Sequence, residues 1–273
     1  MDLILFLKTV VMGLVEGATE FLPVSSTGHL IIAGEWLHFL DDRPQTRDSF
    51  EIIIQLGAIL AVVWFYRAKI WEVLRRLGKD ATANRLFFNL VLAFLPAAAV
   101  GLVAHKWIKT HLFNPVNVAI ALVVGGVVIL VIEAWKRRVD TETVDDIRPK
   151  TAFGIGLCQV LSLVPGTSRS AATILGGVSL GLSRVAATEF SFFLAIPVMF
   201  AATGLDLARS YHDLHGADVP VFAVGFIVSF LSALVVIKAL LRFVASHTFR
   251  GFAWYRIAFG LLLLAWYYLH PAA

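Results

Sequence analysis

Six stretches of the chain stay apolar long enough to cross a bilayer as helices, which takes about 20 residues each. They lie near 50–66, 86–104, 116–135, 186–205, 219–237 and 252–269. They are rich in Leu, Ala, Val and Phe and show no alternation of period two, so helices are expected rather than the strands of a barrel. Two further apolar regions are interrupted. The region 3–39 contains Glu16, Glu20 and the polar run Pro23-Val24-Ser25-Ser26-Thr27-Gly28-His29, and 151–182 contains Pro165-Gly166-Thr167-Ser168-Arg169-Ser170. Each fits a re-entrant hairpin, because irregular backbone at membrane depth is tolerated only where protein or water covers it.

The predicted order is therefore hairpin, three spans, hairpin, three spans. Three crossings per half would insert the second half upside down relative to the first. This gives an all-α polytopic membrane protein with an inverted-topology repeat, six transmembrane helices and two re-entrant helical hairpins. The first repeat would be 1–135 (hairpin 3–39), a cytoplasmic linker 136–150, and the second repeat 151–273 (hairpin 151–182). Glu20-Phe21-Leu22-Pro23-Val24-Ser25-Ser26 can be aligned with Ser162-Leu163-Val164-Pro165-Gly166-Thr167-Ser168, and Phe50 and Phe190 follow the two prolines at similar distances.

Composition agrees. Of 273 residues, 59% are hydrophobic and 15% charged, against about 25% charged in soluble domains; mean hydropathy is +0.81. The formal charge of +4 does not point to nucleic acid, because Lys and Arg gather in short loops. Fifteen fall in 67–85, 136–150, Arg184 and 238–250, and five (Arg43, Arg47, Lys106, Lys109, Arg209) on the other side. The positive-inside rule puts the richer side in the cytoplasm. Both termini would face outward, with the first hairpin opening outward and the second inward. Lys8, Arg169 and Arg256 remain inside apolar segments. Cys158 is the single cysteine, so no intrachain disulfide can form. Asp2 and the lack of a small-residue cleavage site argue against a signal peptide.

The chemistry is concentrated in the hairpins. Glu16 and Glu20 share a helix face at i, i+4, and a carboxylate at mid-bilayer costs roughly 2.5–3.5 kcal/mol. Paired carboxylates beside hydroxyls suit a hard divalent cation, Mg²⁺ or Ca²⁺; a hydrated vestibule or a coupling-ion site is the plainer alternative. Ser25, Ser26, Thr27 and His29 follow Pro23. One Ser could merely cap a helix, but the group looks like a nucleophile with an acid/base partner at a phosphate-binding helix N-terminus. Arg169, between Ser168 and Ser170, offers a planar fork for phosphate, or else a structural ion pair with Glu16 or Glu20. Together these residues suit phosphoryl transfer, which relies on positioning and charge neutralisation.

Gln55 and Glu51 are placed on the first span as supports, and Glu189 begins the equivalent span of the second half. His105, His111, His212, His215 and His247 are read as solvated, and Trp64, Trp71, Trp107, Trp135 and Trp254 as interfacial anchors. No Walker A, GxGxxG or HExxH pattern occurs.

The run from Glu16 to Leu30 resembles the first signature of bacterial undecaprenyl-diphosphate phosphatases of the bacitracin-resistance type. Pro165 to Ser170 resembles their second signature, and Phe50-Glu51 through Gln55-Leu56-Gly57-Ala58 a third segment. Ala171 departs from the Gly expected after Ser-Arg-Ser. The resemblance implies an enzyme of the bacterial inner membrane that hydrolyses undecaprenyl diphosphate to the monophosphate and phosphate. It would recycle the carrier for peptidoglycan and cell-wall synthesis and confer bacitracin resistance. It implies metal dependence; the expected partners are undecaprenyl diphosphate and membrane lipid and no nucleic acid, with a homodimer left open. By the same resemblance Glu16 and Glu20 would position the metal and Ser26 is the nucleophile of choice, with direct water attack left open. His29 would be general base or acid, Arg169 the phosphate clamp, and Ser25, Thr27, Ser168 and Ser170 hydrogen-bond partners of phosphate. Hydrolysis is expected at the outer face, with the lipid tail leaving between helices.

Two other classes compete. A lipid carrier shares inverted repeats and broken helices but has no need of the hydroxyl–His cluster. A type-2 phosphatidic-acid phosphatase would need Lys-x6-Arg-Pro and Ser-Arg-x5-His. Arg148-Pro149 lacks the upstream Lys, and Leu175 stands where the His should be.

Overall fold

The computed structural model describes residues 1–135, 138–210 and 216–269. The chain is an all-α polytopic membrane protein. Its helices are α1 (Leu3–Thr19), α2 (Ser26–Leu37), α3 (Pro44–Phe65), α4 (Arg67–Arg76), α5 (Ala81–His111), α6 (Pro115–Ala134), α7 (Pro149–Val160), α8 (Arg169–Ser179), α9 (Arg184–Ser210), α10 (Val219–Val244) and α11 (Arg250–Leu269). Among the described residues, six helices are long and apolar enough to cross a membrane: α3, α5, α6, α9, α10 and α11.

Local sequence sets the helix starts. Asp2, Asp80 and Asn114 accept backbone N–H bonds from Leu5, Ala83 and Asn117 at 2.7, 2.9 and 2.8 Å, satisfying donors that a first turn leaves free. Pro44, Pro115 and Pro149 occupy first-turn positions, where a missing N–H costs nothing.

Two stretches differ from expectation. The basic segment 67–85 is not a plain loop, because it contains the amphipathic helix α4, whose Trp71, Arg75 and Arg76 are exposed. The linker is folded onto the body in its described part. Thr141 pairs with Leu182, Asn89 Nδ2 donates to the Ile147 carbonyl at 2.8 Å, Lys69 Nζ meets Asp145 Oδ2 at 2.6 Å, and Arg85 donates to the Asp145 carbonyl. Lys136, Arg137, His212 and His215, and the side chains of His105, Lys109 and Arg209, lie outside the described residues. His111 bonds to the Trp107 carbonyl on its own helix, and His247, just beyond α10, to the Phe243 carbonyl near that helix's end. The five tryptophans read as anchors are all exposed.

Helix pairing leaves two ends of distinct character. α6 packs along α11, α10 lies against both α1 and α3, α5 lies along α7, and α3 touches α9. At one end Arg43 pairs with Asp218 at 2.7 Å, and Lys8 donates to the His38 carbonyl. At the other, Arg184 pairs with Glu133 and Lys69 with Asp145, each at 2.6 Å. Close backbone approach depends on small residues. Gly57 lies against the Phe226 backbone, and Gly156 against Ala93. The main core gathers on α8 and α9, around Ile174, Phe190 and Phe192, and Phe21 of the first hairpin reaches into it.

Candidate functional site

α1 and α2 are joined by a short turn, as are α7 and α8, and the two turns meet. Ser25 and Ser168 stand immediately before α2 and α8 with φ of 73° and 75°. Left-handed backbone at a non-glycine residue is uncommon and strained, and both turns carry it at the same structural place. This shifts the alignment expected from sequence: Ser168 corresponds in backbone to Ser25 rather than Ser26. From the proline to the strained serine the second turn has one more residue, Pro165 to Ser168 against Pro23 to Ser25, and Gly166 takes up the extra bend at φ 91°.

The tips are locked to each other. Ser170 Oγ donates to the Leu22 carbonyl at 2.8 Å and lies 2.9 Å from Ser168 Oγ. Ser168 Oγ also accepts from the Ala171 N–H at 3.2 Å. Ala171, the departure from the family pattern, is buried in the main core.

Across this joint sits a three-membered cluster. Glu20 Oε2 accepts from Ser26 Oγ at 2.6 Å, while Glu20 Oε1 accepts from Arg169 Nη2 at 3.1 Å. The Glu20 and Arg169 side chains are each 10% exposed. The guanidinium also donates to the Ser191 carbonyl at 3.1 Å and lies over the Phe21 ring, 5.7 Å from its centroid. Ser191 is held by Thr173 Oγ1 at 2.6 Å, so α9 fixes the clamp from behind. Glu16, one turn before Glu20, is fully buried, and among the described residues neither of its carboxylate oxygens has a hydrogen-bond partner. Its charged neighbours are Glu20, Glu51 and Arg169. Glu51 is bonded in turn by Arg47 at 3.3 Å.

The other expected residues are placed less directly. Among the described hydrogen bonds His29 makes none to Ser26. Its Nδ1 lies 2.7 Å from the Ser25 carbonyl oxygen, and its Nε2 lies 2.5 Å from the Tyr255 hydroxyl. Ser25 is buried and Thr27 half-buried beside the cluster. Gln55 is half-buried one turn after Glu51, and among the described hydrogen bonds its side chain has none. Glu189 faces a different space, a cavity of about 280 Å³ at the basic end, lined also by Tyr66, Lys69 and Asp145. Burial and the neighbouring Glu189 push the Tyr66 phenol up.

Sequence reading missed Arg256. It is fully buried on α11 and donates to five main-chain carbonyls: Pro23 (3.1 Å), Ala121 (3.1 Å), Leu122 (3.3 Å), Gly166 (3.0 Å) and Thr167 (3.0 Å). One guanidinium thus ties both hairpin tips to the middle of α6, and Gly125 leaves it room, since a Cβ there would overlap it. The signal was present: Arg256 was one of three basic residues inside apolar segments, a placement that implies a buried partner. Ser191, Thr173 and Tyr255 carried no comparable signal, because a hydroxyl inside a span is inexpensive.

The model of the family described as bacitracin resistance protein BacA matches residues 9–262. The chain belongs to the BacA family. A protein of Laribacter hongkongensis named undecaprenyl-diphosphatase is 53% identical over 98% of this chain and 97% of its own. One from Nitrosospira multiformis with the same name is 55% identical over 97% and 96%. Undecaprenyl-diphosphatase 1 of Chromobacterium violaceum is 56% identical over 94% of each chain. The BacA-family match covers both hairpin turns, so the Glu20–Ser26–Arg169 cluster lies wholly within it.

Proposed function

We infer that this chain hydrolyses undecaprenyl diphosphate to undecaprenyl phosphate and inorganic phosphate, recycling the lipid carrier of cell-wall synthesis and, with it, conferring bacitracin resistance. The observation that carries this is the junction of Glu20, Ser26 and Arg169 across two buried turns, in a chain whose full-length relatives bear the undecaprenyl-diphosphatase name.

The geometry suggests a division of labour. Arg169 has two faces of its fork on Ser191 and Glu20, and it would shift from Glu20 to phosphate oxygens when substrate arrives. The free N–H groups at the start of α2, presented by the strained Ser25, would receive the same phosphate. Ser26 Oγ, already donating to Glu20, would attack the terminal phosphorus. A P–O bond forms to Ser26, the bond to the bridging oxygen breaks, the electron pair leaves with undecaprenyl phosphate, and the Ser26 proton goes to Glu20. Water would then release phosphate from Ser26, regenerating the hydroxyl. Glu20 rather than His29 takes the base role, because among the described hydrogen bonds the Ser26 hydroxyl is bonded to Glu20 and not to His29. His29 holds the Ser25 turn, and Ser25, Thr27, Ser168 and Ser170 complete the polar wall.

A divalent cation fits this site. Glu16 offers two buried, unpartnered oxygens beside Glu20. Among the described residues no group of three or more His, Cys, Asp or Glu forms a ready-made cage. Mg²⁺ is commonly held by one or two carboxylates with phosphate oxygens completing the shell. Glu16 and Glu20 would hold it, and it would supply charge neutralisation for the diphosphate.

The two halves would be an inverted repeat, 1–135 and 151–273 about the linker 136–150. The pairing of α1 with α10 is matched by that of α7 with α5, and α3 meets α9. The basic end carrying α4 would face the cytoplasm of a bacterial inner membrane. The first hairpin, whose ends lie at the opposite end beside Arg43 and Asp218, would open outward. The partners are undecaprenyl diphosphate and membrane lipid, with no nucleic acid; a homodimer is compatible with the exposed apolar flanks.

Detergent-purified protein tests the reading. Phosphate release from undecaprenyl diphosphate, abolished in Ser26→Ala and Arg169→Ala, is expected. Wild-type protein that binds the lipid and releases nothing would move the chain to the carrier class.

A further inference from the structure

The hydrolytic scheme leaves one contacting side chain without a task. Tyr255 lies on α11, next to the tip-binding Arg256, with 45% of its surface exposed. Its hydroxyl sits 2.5 Å from His29 Nε2. The other ring nitrogen, Nδ1, is 2.7 Å from the Ser25 carbonyl oxygen. A carbonyl can only accept, so Nδ1 carries the hydrogen; in the neutral ring Nε2 is then the acceptor and the Tyr255 O–H donates to it. The ring is fixed in its plane as well, stacked on Phe259 with centroids 4.4 Å apart at 16°, and lying 7° from parallel to the Tyr255 ring.

These contacts form a chain ending at the reacting hydroxyl. Ser25, whose carbonyl receives the His29 hydrogen, is one of the strained positive-φ residues and immediately precedes Ser26. Strained backbone persists only where its surroundings over-determine it. For the second turn that role falls to the Ser168–Ser170–Leu22 bonds. For Ser25 the described side-chain bond to its carbonyl is that of His29.

We propose that Tyr255 is a positioning residue of the phosphate site: its hydroxyl fixes the His29 ring so that Nδ1–H clamps the Ser25 carbonyl and keeps Ser26 on Glu20. This rests on the hydrolase reading above. It differs from a bland role, in which the phenol of a lipid-facing Tyr simply borrows the nearest acceptor.

Tyr255→Phe removes the hydroxyl and keeps the ring stack, so it separates the two. Phosphate release from undecaprenyl diphosphate is measured for wild type, Tyr255→Phe, His29→Ala and the double variant, with thermal midpoints recorded in the same detergent. Tyr255→Phe is expected to lower kcat about tenfold, a 1.4 kcal/mol change in barrier, with KM within about twofold and an unshifted midpoint. In the His29→Ala background the same substitution is expected to change nothing further, because the group it acts through is gone. Where that background turns over too slowly to compare, the kcat-against-KM split in the single variant decides. A wild-type kcat in Tyr255→Phe, or losses that multiply in the double variant, overturns the proposal while leaving the hydrolase reading standing. Inactive wild-type protein would bring down that reading and this one together.

Discussion

Replacing Arg256 by Met keeps an unbranched apolar stem in the space of the arginine stem and removes the guanidinium with every donor it carries. Five carbonyls lose a partner. Those of Ala121 and Leu122 belong to α6 and have helical acceptor bonds available, so their loss counts little. Those of Pro23, Gly166 and Thr167 lie in the hairpin turns, where no other donor reaches them among the described hydrogen bonds. A buried acceptor left unmade costs about 1–3 kcal/mol, hence about 3–9 kcal/mol for three. Several kcal/mol return because a guanidinium need no longer be kept out of water. A net loss of about 3 kcal/mol follows. At about 2–4 °C per kcal/mol for chains of comparable size, the thermal midpoint should fall on the order of 6–12 °C. The tips would also drift, and a misplacement of about 1 Å at a reacting centre costs on the order of 10²-fold in rate. Heating purified protein in steps and following the monodisperse fraction by size exclusion reads the first effect; phosphate release at a permissive temperature reads the second. Arg256→Lys, with three donors on one nitrogen, should fall between. Arg256→Met with the wild-type midpoint and rate would refute the idea that this guanidinium holds the two turns together.

Further outcomes follow from the same geometry. Glu20→Gln keeps the shape but loses the charge that orders Ser26 and Arg169, and kcat/KM should drop by about 10²–10⁴ in steady-state assays, with little change in expression. Stripping divalent ions with EDTA should abolish turnover, with Mg²⁺ or Ca²⁺ restoring it; Glu16→Ala should raise the concentration needed for half-restoration by about 10–100-fold, and an unchanged titration would remove Glu16 from the metal site. Lys69→Ala breaks an ion pair whose partners are 31% and 32% exposed, so after solvent screening it should cost under about 1 kcal/mol and leave kcat as it was. A collapse of activity there would tie the cavity at the basic end to the chemistry.

Residue order alone was enough for the class and most of the membrane plan. Long apolar runs must become helices in a medium that cannot hydrogen-bond the backbone, so the six spans were legible from 86–104 or 219–237 by themselves. Glu16, Glu20 and Arg169 were conspicuous because charge within apolar sequence is expensive and implies a partner. Local signals did not reveal α4, whose apolar face depends on the body it lies against, nor the folding of 141–147 onto α5.

Which charges and hydroxyls pair is a different kind of information. Sequence spacing says that Glu16 and Glu20 share a face, yet only the packed structure assigns Arg169 to Glu20, leaves Glu16 unpartnered, gives Ser26 to Glu20 and turns His29 toward Tyr255, 226 residues away. Arg256 makes the same point most fully, since its acceptors are the main-chain oxygens of Pro23, Ala121, Leu122, Gly166 and Thr167. Every residue carries such an oxygen, so nothing in the side-chain order marks those five. The apolar pattern is a local consequence of solvent. The partners of buried polar groups are settled by which turns the helix packing brings within hydrogen-bond reach.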